Sequence, residues 1–192
     1  MFLTHQSEIQ QYASQSAKNT VKVLTFVQMT IQQNFSQLPK MVEEYNKTGS
    51  VKRLTTRQKN AIAVYNERSE EIFSIIFSGQ SVDDKLLFLA SLPGFGLAKA
   101  GFVLQCCLGR VGCLDVHNLR RFDLKASAFN LTTSEKSNAK KAAKYIEICD
   151  KSLGCGYLWN SWCDLIAEKY PKYYADSEHV SRLHVDCIKA IL

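Results

Sequence analysis

The apolar residues of this chain recur three and four positions apart over most of its length, and nowhere do they alternate for long enough to mark a strand. Ile9, Tyr12, Ala13 and Ser16 give a weak stripe on a first short segment. Val23, Leu24, Val27, Thr30, Ile31 and Phe35 give a stronger one and predict a helix over Thr20–Phe35. Pro39 restarts the chain ahead of a short helix carrying Met41, Val42 and Tyr45, and Lys47–Ser50 reads as a loop. One long helix is predicted from Thr56 to Phe77, with Ile62, Tyr65, Ile72, Phe73 and Ile76 inward and Glu67, Arg68, Glu70 and Glu71 in water. Ser81 has the chemistry of an N-cap for Val82–Leu92, and Asp83 and Asp84 suit the positive end of that helix dipole. Further helices are predicted over Ala98–Leu108, Ser134–Cys149, Tyr157–Tyr170 and Ser177–Leu192. The pattern as a whole predicts an all-α fold of about eight to ten helices, built as a single helical unit over residues 1–192.

Composition narrows this only slightly. A chain of 192 residues, 46% hydrophobic, is long enough to bury one core. The formal net charge of +6 is a mild basic bias, compatible with a polyanionic partner and equally with an ordinary surface. The start of the chain is polar and rich in Gln and Ser, without the pattern of a secretory leader, and no apolar run is long enough to span a membrane. Seven cysteines without such a leader read as free thiols of an intracellular, reducing compartment. Cys106, Cys107, Cys113, Cys149, Cys155, Cys163 and Cys187 contain no C-x2-C pair, so they read as buried apolar thiols and no metal or other cofactor is expected. Of the histidines, His117 reads as ordering its own helix and His184, with Asp186, as surface. The basic face Lys136, Lys140, Lys141 and Lys144 reads as solvated.

The most informative stretch is Leu92-Pro93-Gly94-Phe95-Gly96-Leu97-Ala98-Lys99-Ala100, between two apolar helices. Pro93 ends the first helix, and two glycines allow a tight turn with uncovered backbone. The second helix then begins with free N–H groups at the positive end of its dipole, which is a ready place for a phosphate. Lys99 and Arg110 add charge nearby. Further along, Leu114-Asp115-Val116-His117-Asn118-Leu119-Arg120-Arg121 places an aspartate where a helix begins at Val116, and Asp115 has the chemistry of its N-cap.

Together these two strings resemble the helix-hairpin-helix DNA glycosylase superfamily, the endonuclease III and 8-oxoguanine glycosylase-like proteins, over roughly Leu86–Arg121. The resemblance implies two helical lobes around a cleft, a hairpin at about residues 82–108, and duplex DNA held by its backbone. It implies Asp115 as the catalytic carboxylate, and Leu92, Pro93, Gly94, Phe95, Gly96, Ala98, Lys99, Arg120 and Arg121 as DNA contacts. Two features depart from the family. Ala98 stands where bifunctional members carry a lysine nucleophile, and Lys99, one step on, is expected to face elsewhere. The four-cysteine cluster of endonuclease III is missing. The expectation is therefore a DNA repair hydrolase that cleaves the N-glycosidic bond of a flipped-out base with Asp115 and without a lysine Schiff base. Gln32 and Gln33 are candidates for the base-extruding segment by residue type, and Trp159, Trp162, Tyr157 or Phe122 for the pocket walls. The alternatives are a phage-type base modification transferase on the same fold, which would make the chain phage-encoded, a non-catalytic DNA-binding or architectural protein, and a helical scaffold with no DNA role.

Overall fold

A computed structural model describes residues 2–192. Every regular element among them is helical. They are α1 (Phe2–Ala13), α2 (Ala17–Met29), a 3-10 turn (Phe35–Gln37), α3 (Leu38–Thr48), α4 (Thr56–Glu67), α5 (Ser69–Phe77), α6 (Val82–Ser91), α7 (Leu97–Leu108) and α8 (Val116–Arg121). A second 3-10 turn (Ala126–Phe129), α9 (Glu135–Ile146), a π turn (Glu147–Leu153), α10 (Cys155–Lys169) and α11 (Ser177–Ala190) complete the chain. Among the described residues no helix is long and apolar enough to cross a membrane.

α2 is the central element. Ten of its thirteen residues are buried, including Val23, Leu24, Phe26 and Val27 at 0% exposure. α1, α4, α5, α7 and α11 all pack on it. From Val23 to Met29 α2 is buried on every side, and a helix segment of that kind can only sit inside others.

Several boundaries differ from those the periodicity predicts. Ser16 is not part of the first helix but the N-cap of α2, accepting from the Asn19 N–H at 3.2 Å. α2 stops at Met29 rather than continuing to Phe35, because the Thr30 hydroxyl donates to the Val27 carbonyl at 2.7 Å and Gln32 turns left-handed at φ 56°. The long Thr56–Phe77 helix is two helices that meet at Arg68 (φ −100°, ψ 21°). The bend lets the Ile62/Tyr65 face of α4 and the Ile72/Ile76 face of α5 both pack on α2, which one straight helix could not do. Ser134–Cys149 ends four-square only to Ile146 and then widens into the π turn. Among the described residues the α-helices number eleven because the helix expected to be continuous over Thr56–Phe77 is broken at Arg68, whereas the break at Thr30 only shortens α2.

The α6–α7 hairpin is pinned from below. The Tyr65 hydroxyl lies against both the Gln28 side-chain oxygen, at 3.0 Å, and the Pro93 carbonyl. The Phe95 ring packs on the Tyr65 ring at 5.1 Å. Gly94 is left-handed at φ 82°, and a Cβ there would lie 2.8 Å from the Gln28 amide. Gly96 is extended (φ −145°), with open space where a Cβ would point. The two hairpin glycines therefore differ in what they permit. Gly94→Ala is expected to lower unfolding stability by about 1–3 kcal/mol, through left-handed strain and displacement of Gln28. Gly96→Ala should stay within about 0.5 kcal/mol of wild type in the same urea titration.

Candidate functional site

The connector from α7 to α8, residues 109–115, carries Asp115 to its place and is fixed by three contacts. Gly101 of α7 lies so close to it that a Cβ would meet the Gly112 carbonyl at 2.3 Å. The Tyr145 hydroxyl of α9 donates to that same carbonyl at 2.8 Å and accepts from the Leu114 N–H at 2.7 Å. Asp150 accepts from the Val111 N–H at 2.6 Å and from Arg110 at 2.7 and 2.9 Å. Val111 needs that hold, since it is a β-branched residue at φ 64°, where L side chains are strained. Burial raises the Tyr145 phenol well above its ordinary range, so it stays a neutral donor.

Asp115 begins α8 as its N-cap. One carboxylate oxygen, Oδ1, accepts from the His117 and Asn118 N–H groups at 3.1 and 3.0 Å. The other, Oδ2, has no protein donor among the described residues. Asn118 ties the new helix back to the connector by donating to the Cys113 carbonyl at 2.7 Å. Asp115 is thus both a structural cap and a half-buried carboxylate with a free oxygen.

That carboxylate lines a cavity of about 310 Å³. Phe35, Phe102, Trp159, Trp162 and Tyr170 bring five rings to its wall, with Leu158 and Ile166 beside them. His117, which the sequence suggests only orders its own helix, also lines it, with its ring 6.3 Å from that of Trp162. The α10 contribution falls at 158, 159, 162 and 166, one helical stripe, and Tyr170 follows directly after the helix. Lys99, Phe102 and Gln105 come from one stripe of α7, three residues apart. Thr30, Gln32 and Gln33 arrive from the turn after α2. The expectation that Lys99 faces elsewhere is corrected: it shares the cavity wall with Asp115. Its ammonium lies 3.5 Å from the Thr30 hydroxyl and 5.8 Å from the Phe102 ring, and it makes no ion pair with Asp115 within 4.0 Å among the described residues. The sequence does hold the signal, because i, i+3 spacing puts Lys99 on the face of Phe102 and Gln105.

A second, more open groove of about 600 Å³ runs on the other side of Asp115. Gly96, Leu97 and Ala98 of the hairpin form one bank and Ala126, Phe129 and Asn130 the other. Gly96 offers no side-chain acceptor to the first turn of α7, whose N–H groups are left open on this bank. Groove and cavity share Lys99, Asp115 and Val116, so these three residues stand where the two meet. Ala98, at the lysine position of the resembled family, lines the groove only.

The charges around this junction are lopsided. Between Val111 and Tyr145 there are seven cations against three carboxylates, a surplus of four out of the chain's +6. Arg120, Arg121, Lys125, Lys136, Lys140 and Lys144 are exposed, and none of them is in an ion pair among the described residues. The ion pairs that do form use Lys47, Arg68, Arg110, Arg182 and Lys189, all outside that segment.

Other expected participants fall elsewhere. Tyr157 and Phe122 pack on one another at 6.1 Å, and neither lines the cavity. Leu92 and Pro93 shape the hairpin turn, and Leu92 is buried. Arg120 and Arg121 border a different, mixed-charge hollow with Asp164 and Glu168. His184 is not at the surface but 0% exposed. Cys113 reaches the cavity, but burial pushes its thiol up to about 12, so it is no thiolate nucleophile at neutral pH. Among the described residues no three His, Cys, Asp or Glu side chains are grouped to hold a metal ion.

Tyr145→Phe removes one oxygen and strands two buried backbone groups of the connector. It should cost about 1–3 kcal/mol in denaturant unfolding. A change below about 0.5 kcal/mol would mean the connector is held without it.

No family model, curated protein or solved structure matches this chain.

Proposed function

We propose that this chain is a DNA-binding enzyme of the helix-hairpin-helix glycosylase kind, which draws an extruded base into the Asp115 cavity and releases it from its sugar. The observation that carries the reading is that Asp115 lines the aromatic cavity and the hairpin groove together. A strand whose phosphates rest on the open N–H groups of α7 would run along the groove, beside the unpaired cations of residues 120–144. A base turned out of that strand would pass Lys99, Asp115 and Val116 and stack on the aromatic wall.

Chemistry follows from what stands at that junction. As the N-glycosidic bond breaks, its electron pair leaves with the base and positive charge develops on the sugar. The free oxygen of Asp115 opposes that positive charge, and the Lys99 ammonium opposes the negative charge on the departing base. Water adds to the sugar carbon and gives up a proton, and the base takes one up, so the products are a free base and an abasic site.

Asp115→Asn separates chemistry from structure, because asparagine caps a helix as well as aspartate. Folding stability should stay within about 0.5 kcal/mol and DNA affinity should hold or tighten. Base release should fall on the order of a hundredfold or more. A variant as active as wild type would sink the assignment of Asp115. Borohydride should trap no covalent complex; a trapped complex that Lys99→Ala abolishes would replace this mechanism with amine attack. An adduct in place of an abasic site would identify a base-modifying transferase, and binding without any product a non-catalytic DNA-binding protein.

Duplex binding should weaken on the order of fiftyfold between about 50 and 200 mM salt, as expected for three to four phosphate contacts. An affinity indifferent to salt would exclude a backbone-centred interface.

A further inference from the structure

The aromatic wall of the cavity has a polar residue behind it. His184 of α11 is 0% exposed, and its ring lies 4.9 Å from Phe35, 4.8 Å from Trp159 and 6.1 Å from Phe102. All three of those rings line the cavity, whereas His184 does not. Phe26 closes the cage from α2 at 5.6 Å. The imidazole Nδ1 is 2.9 Å from the Val180 carbonyl, which can only accept, so Nδ1 carries the hydrogen. Nε2 is buried and has no hydrogen-bond partner among the described residues.

A phenyl ring would fill this cage without stranding an acceptor, so packing alone gives no account of the imidazole. What distinguishes it is that it can take a proton where no counter-charge waits. The groups facing it are Phe26 from α2, Phe35 from the first 3-10 turn, Phe102 from α7, Trp159 from α10 and Val180 from its own helix. None of these ring and carbonyl partners is titratable or charged. The elements packed on α11 also bring Glu8 and the buried His5 from α1, Glu8 being paired with Arg182 and Lys189, and the buried thiols are Cys163 of α10 and Cys187 of α11 itself.

We propose that His184 is the positioning residue of the cavity's aromatic wall: neutral, it holds Phe35, Phe102 and Trp159 in place, and protonated, it opens the wall while the rest of the fold stays intact. Burial holds the imidazole down to about 4. The folded value is below the unfolded one, so the neutral packing is fully present above about pH 6.5 and is lost as pH falls toward 4. An opened wall exposes the ring and raises its proton affinity, which places the opening midpoint between those two values. The inference takes from the proposed function only what the cavity would hold.

The chain contains two tryptophans, and both line the cavity. Intrinsic fluorescence therefore reports this wall. Acrylamide quenching of the whole protein is measured from about pH 7.5 down to about 4, with far-UV circular dichroism on the same samples. Wild-type quenching should rise at least about twofold across this range while helicity holds. His184→Phe should match wild type at the upper pH and stay flat throughout. If His184→Phe loses its helicity, His184→Gln, which also cannot titrate there, carries the comparison. A variant with the wild-type pH curve, a flat wild-type curve, or quenching that rises only together with loss of helix would each overturn the proposal. No DNA enters this measurement, so its failure and failure of the glycosylase reading are told apart.

Discussion

The Tyr145 hydroxyl is the contact on which the site depends. One buried oxygen satisfies the Gly112 carbonyl and the Leu114 N–H, two backbone groups that water cannot reach. They are out of reach because Gly101, having no Cβ, lets the connector lie directly on α7. Close approach and polar satisfaction thus require each other: the glycine makes the contact dry, and the tyrosine makes a dry contact tolerable. Leu114 is the residue before Asp115, so the same hydroxyl fixes where the carboxylate stands.

Preorganisation at this junction is offset by strain close by. Val111, Gln32 and Asp123 are the described non-glycine residues with positive φ. Gln32 lines the cavity, Val111 sits in the connector and Asp123 follows α8. A left-handed valine costs on the order of 1–3 kcal/mol and survives only where the surroundings dictate it, here through Asp150. Under the proposed function, Asp115, held at the end of this connector, would not have to be moved for the reaction, and the electrostatic effect of a fixed charge is larger for that reason.

The sequence makes local structure readable and distant structure less so. The α6–α7 hairpin is legible because Pro93 and Gly94 act within their own turn, and Asp115 is legible as a cap because its partners are two and three residues away. The break at Arg68 is not, since periodicity continues across it and only packing on α2 demands the bend. His184 looks like surface beside Asp186, yet its cage comes from α2, α7, α10 and the turn at Phe35, which no local window contains. Lys99 is an intermediate case. Its angle from Ala98 is readable, but whether that angle leads away from the site depends on a cavity built by α10 and the turn after α2.

Charge is handled at the junction in a way that preserves it. Lys99 and Asp115 line the same cavity, and a direct pair would bury two opposite charges against each other and leave neither available. Each is instead engaged by neutral groups. Asp115 gives one oxygen to the first turn of α8 and keeps the other, and Lys99 lies near the Thr30 hydroxyl and the Phe102 ring. A helix cap and a cation–π contact anchor the side chains without cancelling their charge. The cavity therefore has both signs where it meets the groove, and five aromatic rings among its lining residues. On the proposed reading, that arrangement would receive a flat, apolar base and oppose the charges that develop at its bond to the sugar.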